Sequence, residues 1–193
     1  MVIVEDDYDT EYRYGGRPIE PLQSLDEDGR VLYTGTFSKI MRPVLRLGFL
    51  VAPPSLHHAF RMARYVSSWH AELPAQAALA RFIDEGLLAR HIRRSRREYR
   101  ARHERVAELV EGLYGDRLAL VPAEAGLHLS AALPPGADDA AVAAAALRAG
   151  AGLFALSEFA VDGPAAPGLV FGYGAVTLPE IDAGLRALGG ALP

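Results

Sequence analysis

Three short apolar segments near the start of the chain constrain its fold most strongly. The segments 1–4, 31–37 and 47–52 are rich in apolar residues. The first is followed by carboxylates, the second by a Ser-Lys pair and the third by two prolines. Strands this short and apolar are typical of a sheet covered on both faces. Longer stretches with helical spacing come after them, which predicts an α/β fold. In such sheets ligands lie beyond the carboxyl ends of the strands.

The rest of the chain predicts a connecting region and a smaller α/β unit. After residue 113 the composition shifts toward alanine, glycine and proline. We therefore expect three parts: 1–70 in a large domain with a mostly parallel sheet, 71–114 as connecting helices, and 115–193 as a small C-terminal domain. The spacing of apolar residues predicts helices over 55–69 (with Ser55 as N-cap), 74–86, 88–113, 138–149 and 178–188, and strands over 118–121, 127–133 and 168–173.

Composition excludes several classes of function. The chain has 193 residues, half of them hydrophobic, and no cysteine, so disulfides and thiolate sites are excluded. The six histidines show no metal-ligand spacing, and the net charge of −4 gives no general attraction to nucleic acid. No apolar run approaches the ~20 residues of a membrane span. We expect a cytoplasmic protein without a metal site or a membrane anchor.

One residue stands out against the basic composition. Of the 20 basic residues, only Lys39 is a lysine. Arginine replaces lysine at most surface positions, but it cannot supply a deprotonatable amine. Lys39 follows a predicted strand and is preceded by two hydroxyl residues, Thr36 and Ser38, while Arg46 comes seven residues later. An amine that forms an imine beside a bound phosphate needs such neighbours, because hydroxyls and guanidinium groups bind phosphate.

Two residues after the first strand fit the same cofactor. Pyridoxal 5'-phosphate needs a carboxylate that keeps its pyridine nitrogen protonated, and it benefits from a phenol near its ring oxygen. Asp6 and Tyr8 supply these groups, with Asp7 as the alternative carboxylate if the register differs by one residue. The first 46 residues therefore contain all the polar groups described above for this cofactor: the amine, the carboxylate, the phenol and the phosphate-binding groups.

The motifs around these residues resemble those of the MocR-type regulators. These are transcription factors of the GntR family whose effector-binding domain resembles a fold-type-I, pyridoxal-phosphate-dependent aminotransferase. The resemblance runs nearly end to end and rests on several motifs together. They are EDDYD at 5–9, YTGTFSK at 33–39, LRLGF at 45–49, PAQ at 74–76, HIRR at 91–94 with Tyr99, and GLH at 126–128.

The resemblance implies a role for each site residue. Lys39 forms the Schiff base with the cofactor, Asp6 pairs with the pyridine nitrogen and Tyr8 contacts the ring oxygen. Thr36 and Arg46 lie where aminotransferases hold the phosphate, and Arg46 has the alternative of facing the effector. Ser38 is expected to be a further cofactor-binding residue. The family implies a homodimer that senses a small amine or amino acid. It would contact DNA only through a winged-helix domain that is absent from this chain.

Two departures from the family pattern leave other functions open. The chain matches only the back of such a protein, so the large domain is expected to be incomplete. Aminotransferases also bind the substrate carboxylate with a late arginine, and Val170 stands at the matching position. This favours an effector-sensing domain over a catalytic aminotransferase, which is the first alternative. A truncated remnant that cannot complete the site is the second.

Overall fold

The computed structural model describes residues 1–16, 20–69, 72–161 and 166–193. The chain divides into two compact units, residues 1–95 and 96–193. The strands are β1 (Ile3–Asp7), β2 (Val31–Thr36), β3 (Gly48–Val51), β4 (Ala119–Val121), β5 (His128–Ala132), β6 (Phe154–Ala155) and β7 (Gly168–Gly172). The α-helices are α1 (His57–Ser68), α2 (Leu73–Asp84), α3 (Leu87–Tyr114), α4 (Asp139–Arg148) and α5 (Leu178–Leu188).

The first unit is built on a three-stranded sheet with the order β1-β2-β3. Strands β1 and β2 are parallel, with Asp6 opposite Thr34, whereas β2 and β3 are antiparallel, with Thr36 opposite Gly48. The expectation of a mostly parallel sheet is therefore wrong for the described strands. The antiparallel partner follows from the short connection between β2 and β3, since a parallel crossover needs a dozen or more residues.

Strand β1 differs from the predicted strand in both position and burial. It runs through the carboxylates to Asp7, and Val2, Ile3 and Val4 are 53%, 40% and 64% exposed. The prediction of a short buried strand that stops before Glu5 is wrong. Backbone pairing with β2 through Asp7 extends the strand, because the register continues to Gly35 whatever the polarity of the side chains.

The helices of the first unit begin close to where their sequence signals predicted. Pro74 lies in the first turn of α2, where the missing N–H of proline costs nothing. The predicted N-cap of the preceding helix is wrong, because Ser55 lies inside a 3₁₀ turn (Pro54–Leu56) and α1 begins at His57. The two prolines before Ser55 favour this tighter turn by fixing the backbone φ angle.

The second unit is an antiparallel sheet with helices packed on it. The strand order is β4-β5-β7-β6, and each neighbouring pair is antiparallel. The bounds of α5 are those that the sequence predicted, whereas the two-residue strand β6 was not predicted. The core is formed by apolar side chains of the sheet and helices, including Val110, Leu129, Ala146, Leu169 and Leu188.

A buried carboxylate connects three segments of this unit. Asp139 is 5% exposed and accepts hydrogen bonds from the backbone N–H of Ser157 at 3.0 Å, its hydroxyl at 2.7 Å and the backbone N–H of Gly168 at 3.1 Å. Burial alone raises the pKa of Asp139, but these hydrogen bonds outweigh it and the net shift of the pKa is downward. The first residue of α4 is thus fixed to the start of β7.

No helix in the described ranges combines the length and apolar character that a membrane crossing needs. Across the same ranges, no three His, Cys, Asp or Glu side chains are grouped closely enough to hold a metal ion. The three-part division at residues 70 and 114 stays a prediction.

Candidate functional site

Lys39 lies on the turn that follows β2, at the carboxyl edge of the parallel pair. Its side chain is exposed, and its Nζ atom lies 6.0 Å from the ring centroid of Tyr8. Tyr8 comes directly after β1, the parallel neighbour of β2. The carboxyl ends of parallel neighbours meet at one sheet edge, so the topology brings together two residues that are 31 positions apart in the sequence.

The alternation of β1 separates the two aspartates that the sequence left as alternatives. Successive side chains on a strand point to opposite faces, so Asp6 lies on one face while Glu5 and Asp7 lie on the other. Asp6 is exposed, and its Oδ1 atom accepts a long hydrogen bond of 3.4 Å from the Thr34 hydroxyl. Its carboxylate is thus accessible on the face that carries Thr34.

The opposite face of β1 has a structural role. The Asp7 carboxylate accepts hydrogen bonds from the Tyr33 hydroxyl at 2.6 Å and from the backbone N–H of Thr10 at 3.3 Å. Burial and the bond to Asp7 raise the pKa of Tyr33. The Glu5 carboxylate accepts from the backbone N–H groups of Leu22 and Gln23 at 2.9 and 3.0 Å. Because Asp7 is engaged within the chain, Asp6 is the better placed of the two for a ligand.

The two hydroxyls before Lys39 form one cluster. Thr36 Oγ1 lies 3.0 Å from Ser38 Oγ and accepts the backbone N–H of Ser38 at 3.1 Å. This local side-chain bond is typical of Ser and Thr in turns, and it fixes the turn as β2 ends. The pair therefore presents two adjacent hydroxyls next to Lys39.

Arg46 is held in an unusual backbone conformation beside this turn. Its φ angle is +49°, in the left-handed region, and its backbone N–H bonds to the carbonyl of Pro43 at 3.2 Å. The next residue, Leu47, accepts the backbone N–H of Phe37 at 3.0 Å, so the main chain at Arg46 runs alongside the turn of Lys39. A non-glycine residue in this region carries strain, and such strain clusters at functional sites.

This set of groups fits pyridoxal 5'-phosphate. Lys39 offers an accessible amine, Tyr8 an exposed phenol near it, and Asp6 an accessible carboxylate on the next strand. The hydroxyls of Thr36 and Ser38 add phosphate-binding groups. The individual roles of these residues stay predictions.

Sequence reasoning missed two residues that contact the main chain around Lys39. The Tyr12 hydroxyl donates to the carbonyl of Lys39 at 3.2 Å, and the His91 ring donates to the carbonyl of Ile40 at 2.7 Å. Tyr12 lies between β1 and β2, in a segment that carries none of the motifs of the family resemblance. His91 lies in the HIRR motif. That motif contributes to the family resemblance, but the resemblance implies no role for its histidine. Contacts across 27 and 51 residues leave no local signal in the sequence.

The residue that departs from the aminotransferase pattern is part of the core. Val170 is 9% exposed and lies on β7, opposite Ser130 of β5 and Phe154 of β6. A valine there contributes packing and has no group that binds a carboxylate.

Comparisons with known proteins show which proteins this chain is similar to. No protein-family model matches the chain. It is 38% identical over 186 residues to the probable rhizopine catabolism regulatory protein MocR of Rhizobium meliloti, covering 96% of this chain and 38% of that protein. It is 36% identical over 187 residues to the HTH-type transcriptional regulator YhdI of Bacillus subtilis, covering 96% of this chain and 40% of that protein.

This chain matches the aminotransferase-like part of the MocR-type regulators. It spans about two fifths of the length of the curated relatives. The solved structure of kynurenine aminotransferase from Pyrococcus horikoshii matches 98% of this chain, with a TM-score of 0.88 and 27% identity. That match covers 47% of the aminotransferase chain. The fold is that of the fold-type-I aminotransferases, as the sequence predicted.

Proposed function

We propose that this chain is the effector-sensing domain of a MocR-type regulator and that it binds pyridoxal 5'-phosphate through Lys39. The observation that carries the proposal is the approach of the Lys39 amine to 6.0 Å from the ring centroid of Tyr8. The structurally similar kynurenine aminotransferase was solved with PMP, which supports a pyridoxal-type ligand for this fold. When bound, pyridoxal phosphate supplies an aldehyde that condenses with amines.

Each polar residue of the site has a distinct task in this proposal. Lys39 would hold the cofactor through its amine, and it is the group that an effector amine would replace. Asp6 would keep a proton at the pyridine nitrogen, because its carboxylate is exposed on the face of the sheet that carries Thr34. Tyr8 donates a hydrogen bond to the ring oxygen. Thr36, Ser38 and Arg46 bind the phosphate, for which hydroxyls and a guanidinium are suited.

The signal in this proposal is the release of the Lys39 amine. Binding of a small amine or amino acid would free the Lys39 side chain, and the domain would then favour a second arrangement. In this proposal the full-length regulator is a homodimer in the cytoplasm, and its DNA-binding domain responds to that change. The relatives are transcriptional regulators by name, which supports a role in effector sensing over a role as a metabolic enzyme.

Reductive trapping tests the cofactor proposal directly. Protein incubated with pyridoxal 5'-phosphate and treated with borohydride is expected to carry one phosphopyridoxyl group on the peptide that contains Lys39. The matched control is Lys39→Arg, which keeps the positive charge but cannot form an imine. Addition of the cognate amine before borohydride should reduce the labelling. Absence of the adduct at saturating cofactor would refute the proposal.

A catalytic aminotransferase is the second candidate, because the solved structures that match the chain include catalysts of this fold. In that case Lys39, once displaced, would also carry the proton transfer at the substrate carbon. Buried Val170 argues against it, since no carboxylate-binding arginine stands there. Sustained conversion of an amino donor and a keto acid by the full-length protein would favour the enzyme over the sensor.

A further inference from the structure

The main chain that carries Lys39 is held on its amino-terminal side by the sheet. The backbone N–H of Phe37 donates to Leu47 at 3.0 Å, and that of Ser38 donates to the Thr36 hydroxyl at 3.1 Å. The Phe37 carbonyl then accepts the N–H of Met41 at 2.8 Å and closes the turn. These bonds fix the chain up to Lys39 and close the turn, but they do not involve the carbonyl of Lys39 itself.

Two side chains from distant elements hold the carboxyl-terminal side. The hydroxyl of Tyr12, which is fully buried, donates to the Lys39 carbonyl at 3.2 Å. Nε2 of His91, near the start of α3, donates to the Ile40 carbonyl at 2.7 Å. A carbonyl oxygen only accepts hydrogen bonds, so this Nε2 atom carries a hydrogen. Ile40 itself is 5% exposed and anchors the turn in the core.

The two carbonyls define two consecutive planar peptide groups. When both oxygens are held, the orientation of the main chain directly after the Lys39 Cα atom is fixed, and with it the direction of the Cα–Cβ bond. A lysine side chain has four rotatable bonds, and the direction of its Cα–Cβ bond sets the volume in which its amine moves. A small displacement of a reacting group lowers the reaction rate by a large factor.

We propose that Tyr12 and His91 are positioning residues that aim the Lys39 amine toward Tyr8 and the cofactor. They act through the carbonyls of Lys39 and Ile40, to which they donate hydrogen bonds. This inference deepens the proposed function and rests on it for its biological meaning. The positioning itself is a property of the chain without any ligand, so it is measured separately.

The composition of the chain makes that measurement simple. Lys39 is the only lysine, so reductive methylation with ¹³C-formaldehyde labels just two amines, that of Lys39 and the amino terminus. In the unliganded protein we expect a Lys39 methyl resonance displaced from that of a free lysine, since an aromatic ring lies near the amine. Tyr12→Phe and His91→Leu should move this resonance toward the free-lysine position. His91→Gln, which retains a donor, should restore much of the displacement.

The second readout is the rate at which pyridoxal 5'-phosphate is trapped on Lys39. We expect Tyr12→Phe and His91→Leu to slow it about tenfold, as misplacement of a reacting group does. The matched controls are His57→Leu and Tyr114→Phe. The His57 ring bonds to the Ala52 carbonyl at 2.8 Å and the Tyr114 hydroxyl to the Leu185 carbonyl at 2.6 Å, and both contacts are distant in sequence from Lys39.

The outcomes separate this inference from the proposed function. If Tyr12→Phe and His91→Leu leave the resonance and the trapping rate unchanged, the inference is overturned. It is also overturned if the control variants produce equal changes, or if His91→Gln behaves as His91→Leu, because either result indicates general loss of structure. If wild-type protein traps no cofactor but the resonance responds as expected, the positioning stands and the cofactor proposal fails.

Discussion

The Nζ atom of Lys39 lies 6.0 Å from the ring centroid of Tyr8, so an amine and an aromatic ring that follow neighbouring strands lie at one edge of the sheet. The phenol and the amine are both accessible, since Tyr8 is 45% exposed and Lys39 is exposed. This pair is the centre of the candidate site.

The first prediction concerns the phenol of Tyr8. Tyr8→Phe keeps the ring near the amine but removes the hydroxyl, so we expect affinity for pyridoxal 5'-phosphate to fall about tenfold, the value of one hydrogen bond to a charged group. Titration followed by absorbance measures this change. Tyr65→Phe is the control, because Tyr65 is a similarly exposed tyrosine in α1 whose ring packs on that of Trp69, the residue after this helix. Unchanged affinity in Tyr8→Phe would remove the phenol from the site.

The second prediction separates the two aspartates. Asp6→Ala should lower cofactor affinity at least about tenfold while the free energy of unfolding stays within about 0.5 kcal/mol, as for other surface substitutions. Asp7→Ala should instead lower the free energy of unfolding by about 1–3 kcal/mol, because Tyr33 and Thr10 lose their acceptor. Urea denaturation and cofactor titration measure both quantities. If Asp7→Ala lowers cofactor affinity and Asp6→Ala lowers the free energy of unfolding, the carboxylate that binds the cofactor is that of Asp7.

The third prediction concerns Arg46 and its left-handed backbone. Glycine adopts this conformation without strain, so Arg46→Gly should leave the free energy of unfolding unchanged or raise it by up to about 1 kcal/mol. The same variant should weaken binding of pyridoxal 5'-phosphate but not of pyridoxal, which lacks the phosphate. Competitive titration of the two compounds measures the difference. If both lose affinity equally, Arg46 does not bind the phosphate.

The fourth prediction is a pH dependence from Asp139. Its pKa in the folded chain lies below the unfolded value of about 3.9, so the carboxylate stabilises the fold above that pH. That contribution is lost as the pH falls through the folded-state pKa. At pH 7, Asp139→Ala should lower the free energy of unfolding by about 2–4 kcal/mol, since three buried donors lose their acceptor.

Urea denaturation at pH 7 and at pH 3 tests this dependence. The difference between wild type and Asp139→Ala should shrink at the lower pH, because below the unfolded pKa the carboxylate is protonated more readily in the unfolded chain than in the folded one. Asp116→Ala serves as control, because its side chain is 82% exposed and its ion pair with Arg117 is long at 3.9 Å. Such surface pairs contribute little. An equal difference at both pH values would contradict the role assigned to Asp139.

The secondary structure was largely predictable because its signals are local. The apolar spacing along α3 and the proline and capping glutamate at the start of α5 lie within a few residues of the structure that they determine. Strand β6 was missed because two residues carry no periodic pattern. Its pairing with β7 depends on where the rest of the sheet lies.

By itself the sequence determined which groups this protein can offer a ligand. A lone lysine after a strand, with hydroxyls beside it and with Asp6 and Tyr8 after an earlier strand, predicts pyridoxal-phosphate chemistry, because few side chains can form an imine or pair with a pyridinium. Only the tertiary structure decided how those groups are arranged. Parallel pairing of β1 and β2 places Tyr8 near Lys39, strand alternation turns Asp6 away from Asp7, and Tyr12 and His91 reach the Lys39 turn across long sequence separations. Register and packing are properties of paired elements, so no single segment of the sequence carries them.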